Sequence, residues 1–232
     1  DDIVEYLERT FFLKKDLTGK KVMVTAGPTY EPIDPVRFIG NHSSGKMGIA
    51  LSRELASRGA EVSLIMGPVS AEPVIPGVQL TKVKTAEEMY DACVATFPDT
   101  DVAIMSAAVA DYTPVKKEDQ KIKKQSDGLH IELIKTKDIL KNLGDKKKNG
   151  QILVGFALET TNEKEYALQK LRSKNADLIV LNSLQDKGAG FGLDTNKITI
   201  FEKNGNEIAY DTKPKQQVAR DIVDRIVNLL HD

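Results

Sequence analysis

Short apolar runs alternate with stretches of helical period along most of the chain. Val22–Val24, Glu61–Met66, Asp101–Met105, Ile152–Phe156 and Asp177–Leu181 read as buried strands, Gln79–Val83 as another, and Leu129–Ile134 as a half-exposed one. Between them lie amphipathic segments. From about Gly45, Met47, Leu51 and Leu55 share one face, and the pattern stops at Gly59, a residue suited to a left-handed cap. Thr85-Ala-Glu-Glu88 is a capping box that opens a helix running to about Thr96. Lys137–Leu140 starts a short helix, and Glu163 to about Asn175 forms a longer one with Lys170 and Lys174 one turn apart. From about Pro214, Val218, Ile222, Ile226 and Leu229 recur at helical spacing. Asn204-Gly205 between Lys197–Phe201 and Glu207–Tyr210 is a hairpin signal, and a Gly-rich loop precedes this pair. Asp1–Phe12, with Val4, Leu7 and Phe11 on one face, reads as a short helix. This alternation predicts an α/β fold of three layers: a mainly parallel, Rossmann-like sheet, helices on both faces, and a late antiparallel hairpin. Residues 1–16 are expected to be an N-terminal helix and linker, and 17–232 a single domain.

Composition narrows the class without naming a chemistry. With 232 residues, 41% hydrophobic and 29% charged, the chain can bury one sizeable core. A formal net charge of −1 gives no support for nucleic acid or a membrane surface as partner. No apolar run reaches membrane-spanning length, and the N-terminus lacks a signal-peptide pattern. The single Cys93, set in a helical pattern, reads as a small buried residue and fits a reducing compartment, so the cytoplasm is expected.

Candidate chemistry concentrates between Val22 and Gly48. A strand, a long loop with the small-residue turns Thr25-Ala-Gly27 and Ser43-Ser-Gly45, and a helix N-terminus follow one another. Backbone N–H groups and the helix dipole at such a place favour an anion. Lys46 in the first helical turn opposes the dipole unless something negative sits there. Two known phosphate fingerprints fail. Gly40 to Lys46 matches the P-loop until Met47 stands where a magnesium-binding hydroxyl belongs, and only Gly27 occupies the first turn where a dinucleotide fold needs several glycines.

A second cluster follows the strand ending at Met105. Ser106–Tyr112 lies outside the carboxyl end of a parallel strand, where Ala107 and Ala108 allow close approach and Asp111 adds a carboxylate. Pro114–Ser126 is rich in lysine, nearly without apolar residues, and reads as a mobile flap whose Lys121, Lys123 and Lys124 could close over a triphosphate. The run Lys146-Lys-Lys148 reads as a solvated face instead.

Gly27-Pro-Thr-x-Glu-Pro-Ile-Asp-Pro-Val-Arg37 and Asn41-His-Ser-Ser-Gly-Lys-Met-Gly48, continued by Ala107-Ala-Val-Ala-Asp-Tyr112, Lys121-Ile-Lys-Lys124 and Gly155-Phe156-x-x-Glu159-Thr160, resemble the bacterial phosphopantothenate–cysteine ligases of coenzyme A biosynthesis. The resemblance runs from about Leu17 onward. It implies a ligase that activates 4′-phosphopantothenate with CTP to an acyl-cytidylate, releases pyrophosphate, and then takes the amine of L-cysteine to give the amide and CMP. It implies Mg²⁺ as companion of the triphosphate, with ligands that the motifs leave unassigned. By the same resemblance Asn41 orients the acyl-nucleotide, Lys121 stabilises charge on the reacting phosphate, and Arg37 offers its fork to a carboxylate or phosphate. Ala107, Asp111, Lys121, Lys137, Asp138, Ile139, Leu140, Phe156, Lys170 and Lys174 match nucleotide-binding positions. Gly27, Ser43, Ser44, Gly45, Lys46, Gly48 and Ala108 are left to the triphosphate or the substrate phosphate. Family members are dimers, which makes Glu31–Gly40 a candidate arm reaching a second subunit, and they often carry a flavin-dependent decarboxylase half. Two other readings stand beside this one. Tyr166-x-x-x-Lys170 with Ser106 prompts a short-chain NAD(P)-dependent dehydrogenase, against which the missing glycine-rich turn counts. A non-catalytic nucleotide sensor is the other, against which Asn41 and Lys121 count.

Overall fold

A computed structural model describes residues 15–70, 73–123, 128–159, 161–183 and 193–231. The expected N-terminal helix, the Gly-rich loop before the late hairpin, Lys124 and Thr160 lie outside the described residues. Eight strands make the main sheet: β1 (Lys21–Ala26), β4 (Glu61–Met66), β5 (Val78–Lys82), β6 (Val102–Met105), β9 (Ile152–Glu159), β10 (Leu178–Ser183), β12 (Ile198–Glu202) and β13 (Glu207–Ala209). Their order is β13-β12-β10-β9-β6-β1-β4-β5, parallel from β10 to β5 and antiparallel at β12 and β13. This is the mainly parallel sheet with a late hairpin that the alternation predicts.

Strand parity decides which helix covers which face, because successive side chains point to opposite sides. Val22, Val24, Leu64, Ile104, Val154 and Val180 turn to one side and pack against α1 (Lys46–Ser57) and α5 (Lys215–His231) through Leu51, Leu55, Val218, Ile222 and Ile226. Met23, Ile65, Ala103, Met105 and Leu153 turn to the other, against α2 (Ala86–Thr96) and α3 (Ile139–Lys146). Farther along, Ile179, Leu181 and Phe201 meet Ala167 and Leu171 of α4 (Glu163–Ser173). Leu51 and Leu55 are fully buried, and each such side chain contributes about 1.5–3 kcal/mol of transfer free energy. Cys93 sits in α2 with no exposure, and burial pushes its thiol up to about 12, so it is packing and not a nucleophile.

Two expectations change. The stretch between β1 and α1 is not one irregular loop: β2 (Tyr30–Pro32) and β3 (Phe38–Gly40) pair antiparallel, with the Tyr30 and Phe38 rings stacked at 3.8 Å. The alternating segment Leu129–Ile134 yields only β8 (Leu133–Lys135), fully exposed and paired with β7 (Tyr112–Pro114). A two-stranded ribbon that buries little besides Pro114 gains little from further pairing, which is why alternation alone overstates its length.

Candidate functional site

The strand order reverses at β1. β4 and β5 extend to one side of it, and β6, β9 and β10 to the other. The carboxyl ends of β1 and β6 therefore form the switch point at which open parallel sheets take ligands. A cleft of about 820 Å³ opens there. The two loops leaving these strands are stitched together: Ala108 N–H donates to Gly27 O at 2.9 Å, Ala110 N–H to Thr29 Oγ1 at 2.9 Å, and Ser106 Oγ to Thr25 O at 2.5 Å. Gly27 makes the turn at φ 79°, in the left-handed region open to glycine. It backs the wall and does not line it.

One wall is the start of α1. Gly45 caps it at φ 75°, no side chain closes the cap, and no acid stands in the first turn. The first N–H groups and the positive dipole end thus face the cleft, with Ser43, Ser44, Gly45, Lys46 and Gly48 on its surface. Asn41 joins them, its Nδ2 donating to Ala108 O at 3.0 Å and Val109 O at 3.2 Å. Those two bonds fix which side of the amide is which.

The opposite wall gathers Ala107, Ala108 and Asp111 after β6, Lys137, Asp138, Ile139 and Leu140 at the start of α3, Phe156 of β9, and Lys170 and Lys174 of α4. Asp138 caps α3 by accepting from Lys141 N–H at 2.8 Å and pairs with Lys174 Nζ at 2.6 Å. Burial opposes its charge, yet the Lys174 ammonium and the capping N–H hold its carboxyl below the usual range. Lys170 donates to Phe156 O at 2.7 Å, and burial pushes its ammonium below its ordinary pKa although Glu159 and Asp138 favour the charge. Lys137 pairs with Glu87 at 2.6 Å and lies over the Tyr90 ring.

Six lysines (46, 135, 137, 170, 174 and 215) but only two carboxylates, Asp111 and Asp138, stand in the cleft walls. That balance suits a polyanion. Among the described residues no group of three or more His, Cys, Asp or Glu could hold a metal, so any magnesium there would take most of its oxygens from a ligand and water.

Arg37 and Lys121 are not in these walls. The Arg37 fork, expected to meet a ligand, lies on Asp34, with Nε at 2.9 Å and an Nη at 2.5 Å, and on Ile122 O at 3.0 Å. Asp34 Oδ2 also accepts from Ile122 N–H at 3.2 Å, and Ile33 O from Glu118 N–H at 2.9 Å. The described part of the lysine-rich segment is therefore tied to the β2–β3 hairpin. The bonds that tie it to the hairpin are polar and come from a distant element, so composition could not show them. Glu31, buried at 3% exposure, holds that hairpin to α2 by accepting from Ala86 N–H at 2.8 Å. The dehydrogenase trio does not assemble: Ser106 and Lys170 line the cleft, but Tyr166 does not.

Several cleft residues were not read from the sequence. Lys135 and Thr136 adjoin a motif, and Asn182 ends a parallel strand, so the switch-point rule could have reached them. Asn196 of β11 (Thr195–Asn196) and Lys215 gave no signal, because they follow loops far along the chain.

The family described as DNA/pantothenate metabolism flavoprotein C-terminal domain matches residues 17–230. A cysteine/cysteine sulfinic acid decarboxylase from an unknown prokaryotic organism is 48% identical over 230 residues, 99% of this chain and 64% of that protein. The coenzyme A biosynthesis bifunctional protein CoaBC of Bacillus subtilis is 46% identical over 231 residues, 99% of this chain and 57% of its own length. The chain thus spans about three fifths of these curated relatives. A crystal structure of the C-terminal domain of CoaBC superposes with a TM-score of 0.81 at 42% identity, covering 94% of this chain and all of that one. Among the described residues no helix is long and apolar enough to cross a membrane.

Proposed function

This chain belongs to the family of DNA/pantothenate metabolism flavoprotein C-terminal domains, and from that premise we propose that it is the phosphopantothenate–cysteine ligase of coenzyme A biosynthesis. The observation that carries the reading is the switch-point cleft, in which an uncapped helix N-terminus faces a wall of lysines. A carboxylate must there approach a triphosphate, and N–H donors and cations offset the repulsion between them.

In the first step the carboxylate oxygen of 4′-phosphopantothenate bonds to the α-phosphorus of CTP, and pyrophosphate leaves. In the second the amine of L-cysteine bonds to the acyl carbon, the bond to the CMP oxygen breaks, and the amine gives up a proton. The nucleoside end lies along Asp138–Leu140, Phe156, Lys170 and Lys174, and the phosphates run toward Ser43–Gly48. Asn41, fixed by two carbonyls, orients the acyl group. Lys121 reaches the reacting phosphate from the strip that Asp34 and Arg37 hold. A magnesium ion accompanying the triphosphate would neutralise part of its charge, and Asp111, one of the two carboxylates in the cleft walls, would be a protein ligand for it. The protein works in the cytoplasm, as a homodimer, beside or fused to a decarboxylase partner.

The test supplies CTP, magnesium and 4′-phosphopantothenate, with and without L-cysteine. Pyrophosphate release that needs the acid, CMP formation that needs cysteine, and a higher rate with CTP than with ATP are expected. Equal or better rates with ATP would overturn the nucleotide assignment. No nucleotide turnover, together with CO₂ release from cysteine, would favour the decarboxylase activity that one relative's name carries.

A further inference from the structure

Of the lysines in the cleft walls, all but one are engaged by the protein itself. Lys46 pairs with Asp194, Lys137 with Glu87 and Lys174 with Asp138, while Lys170 donates to Phe156 O and Lys215 to Leu193 O. Lys135 differs. Its ammonium has neither an ion pair nor a hydrogen bond among the described residues. The hydroxyl of Tyr112, a residue 45% exposed on the same cleft wall, has no partner among them either.

These two residues stand opposite each other in the β7–β8 ribbon. Thr136 N–H donates to Asp111 O at 3.0 Å, one step beyond the pair on each strand. That pattern makes Tyr112–Lys135 a non-hydrogen-bonded pair, whose side chains share one face and approach most closely. The root of the ribbon is fixed to the switch-point loops: Thr136 Oγ1 donates to Ala110 O at 2.7 Å, and Ala110 N–H to Thr29 Oγ1 at 2.9 Å. An ammonium and a phenol hydroxyl, both with hydrogens left to donate, are thus held side by side on the cleft wall. Such a pair suits an oxyanion, because bonds from an ammonium to a charged oxygen are the strong, charge-assisted kind.

Under the ligase reading two polyanions share the cleft. The acid must bring its carboxylate to the α-phosphorus while its own phosphate, at the far end of the molecule, is repelled by the triphosphate. That phosphate needs a cation apart from the wall formed by the start of α1. Asn41, which orients the acyl group, holds Ala108 O and Val109 O, and the chain runs from there through Asp111 to Tyr112 along one wall. An acid seated at Asn41 and extending along that stretch meets Lys135. We propose that Lys135 and Tyr112 hold the phosphate of 4′-phosphopantothenate and so select the phosphorylated acid over pantothenate. The name of the acid rests on the ligase reading; the pair of uncommitted donors does not.

The experiment titrates 4′-phosphopantothenate and pantothenate into the full chain by calorimetry, with and without a CTP analogue whose α- and β-phosphates are joined by a methylene, so that no reaction follows binding. The native chain is expected to bind the phosphorylated acid roughly tenfold or more tightly than pantothenate. Lys135→Gln is expected to lose most of that preference, weakening the phosphorylated acid roughly tenfold and pantothenate by less than about twofold. Tyr112→Phe should lose a smaller part, roughly threefold, as for one neutral donor. Lys135→Arg keeps the charge and should keep most of the preference. Equal affinity of the native chain for the two acids would overturn the proposal, as would a Lys135→Gln chain that keeps the full preference or weakens both acids alike. Weaker binding of the nucleotide analogue with the acid preference intact would also overturn it and give Lys135 to the triphosphate. A preference that Lys135→Gln abolishes, in a native chain that releases no pyrophosphate from CTP and the acid, would keep the phosphate seat and remove the ligase reading.

Discussion

The carboxylate of Asp34 takes the Arg37 fork and the Ile122 N–H on Oδ2, and the N–H groups of Val36 and Arg37 on Oδ1 at 2.8 Å each. Its side chain has no solvent exposure. The Arg37 guanidinium above all, with those backbone N–H groups, holds its carboxyl well below the ordinary value of 3.8 despite the opposing effect of burial. One carboxylate thus joins the hairpin to the strip that carries Lys121. Asp34→Asn keeps the shape, removes the charge, and puts an N–H donor where only acceptance is possible. Trypsin cleavage at Lys121 or Lys123 at neutral pH is expected to be roughly tenfold faster in this variant, the scale set by one charge-assisted hydrogen bond. The sign with pH follows from the depressed pKa. The stabilisation is fully present above 3.8 and is lost as pH falls through the lower folded value. The Tm gap between the native chain and Asp34→Asn should therefore stay constant from pH 7 to about 3.8 and shrink below it; a gap that widens on acidification would refute this account.

At the scale of elements, α1 can present its N-terminus to the cleft only because it lies directly on β1. A Cβ at Gly48 would stand 2.5 Å from Ala26 Cβ and 2.9 Å from Thr25 O, the latter a backbone atom that cannot swing away. Gly48→Ala therefore pushes the first turn off the strand. Overpacking of this kind costs about 1–3 kcal/mol, or roughly 2–4 °C in Tm per kcal/mol for a chain of this size. Because the displaced turn is also the anion-facing wall, CTP affinity measured by calorimetry should fall as well. A lowered Tm with unchanged CTP affinity would show that the nucleotide is held elsewhere.

At the scale of the molecule, α1 and α5 pack side by side on one face of the sheet, and Arg58, at the end of α1, bridges to the middle of α5. It is 5% exposed and binds Asp16 through Nε at 2.9 Å and an Nη at 2.6 Å, and Asp224 of α5 at 2.5 Å. The Asp16 contact, with Asp224 adding to it against burial, raises its pKa further, so the cation persists at every working pH. One side chain therefore ties the segment before β1 to the last helix. Removing one member of a buried pair costs about 3–5 kcal/mol; here the loss is smaller, because the Asp224 side chain is 55% exposed and regains water. Arg58→Ala should lower the urea midpoint by a corresponding amount with its m-value unchanged. An unchanged midpoint would reduce the network to surface decoration.

Local signals determined a large part of this protein. Strand runs, the Thr85–Glu88 capping box, the Asn204-Gly205 turn and the period of α1 and α5 are each written within a few neighbouring residues, and the structure places an element at each. Of the motif stretches after β1 and β6, Asn41, Ser43–Gly48, Ala107, Ala108 and Asp111 line the cleft while Gly27 and Arg37 do not; a parallel strand's carboxyl end is a place that order along the chain already defines. What local pattern could not supply was convergence. Asp34 meets Ile122 across 88 residues, and Asn196 and Lys215 reach the cleft only once β10 and β12 have paired. The Arg37 fork lies on Asp34, three residues away, and on the Ile122 carbonyl, which only the fold brings near. Short-range preference chooses the elements; burial of both faces of one sheet decides which distant polar groups end up side by side, and the cleft is made of those.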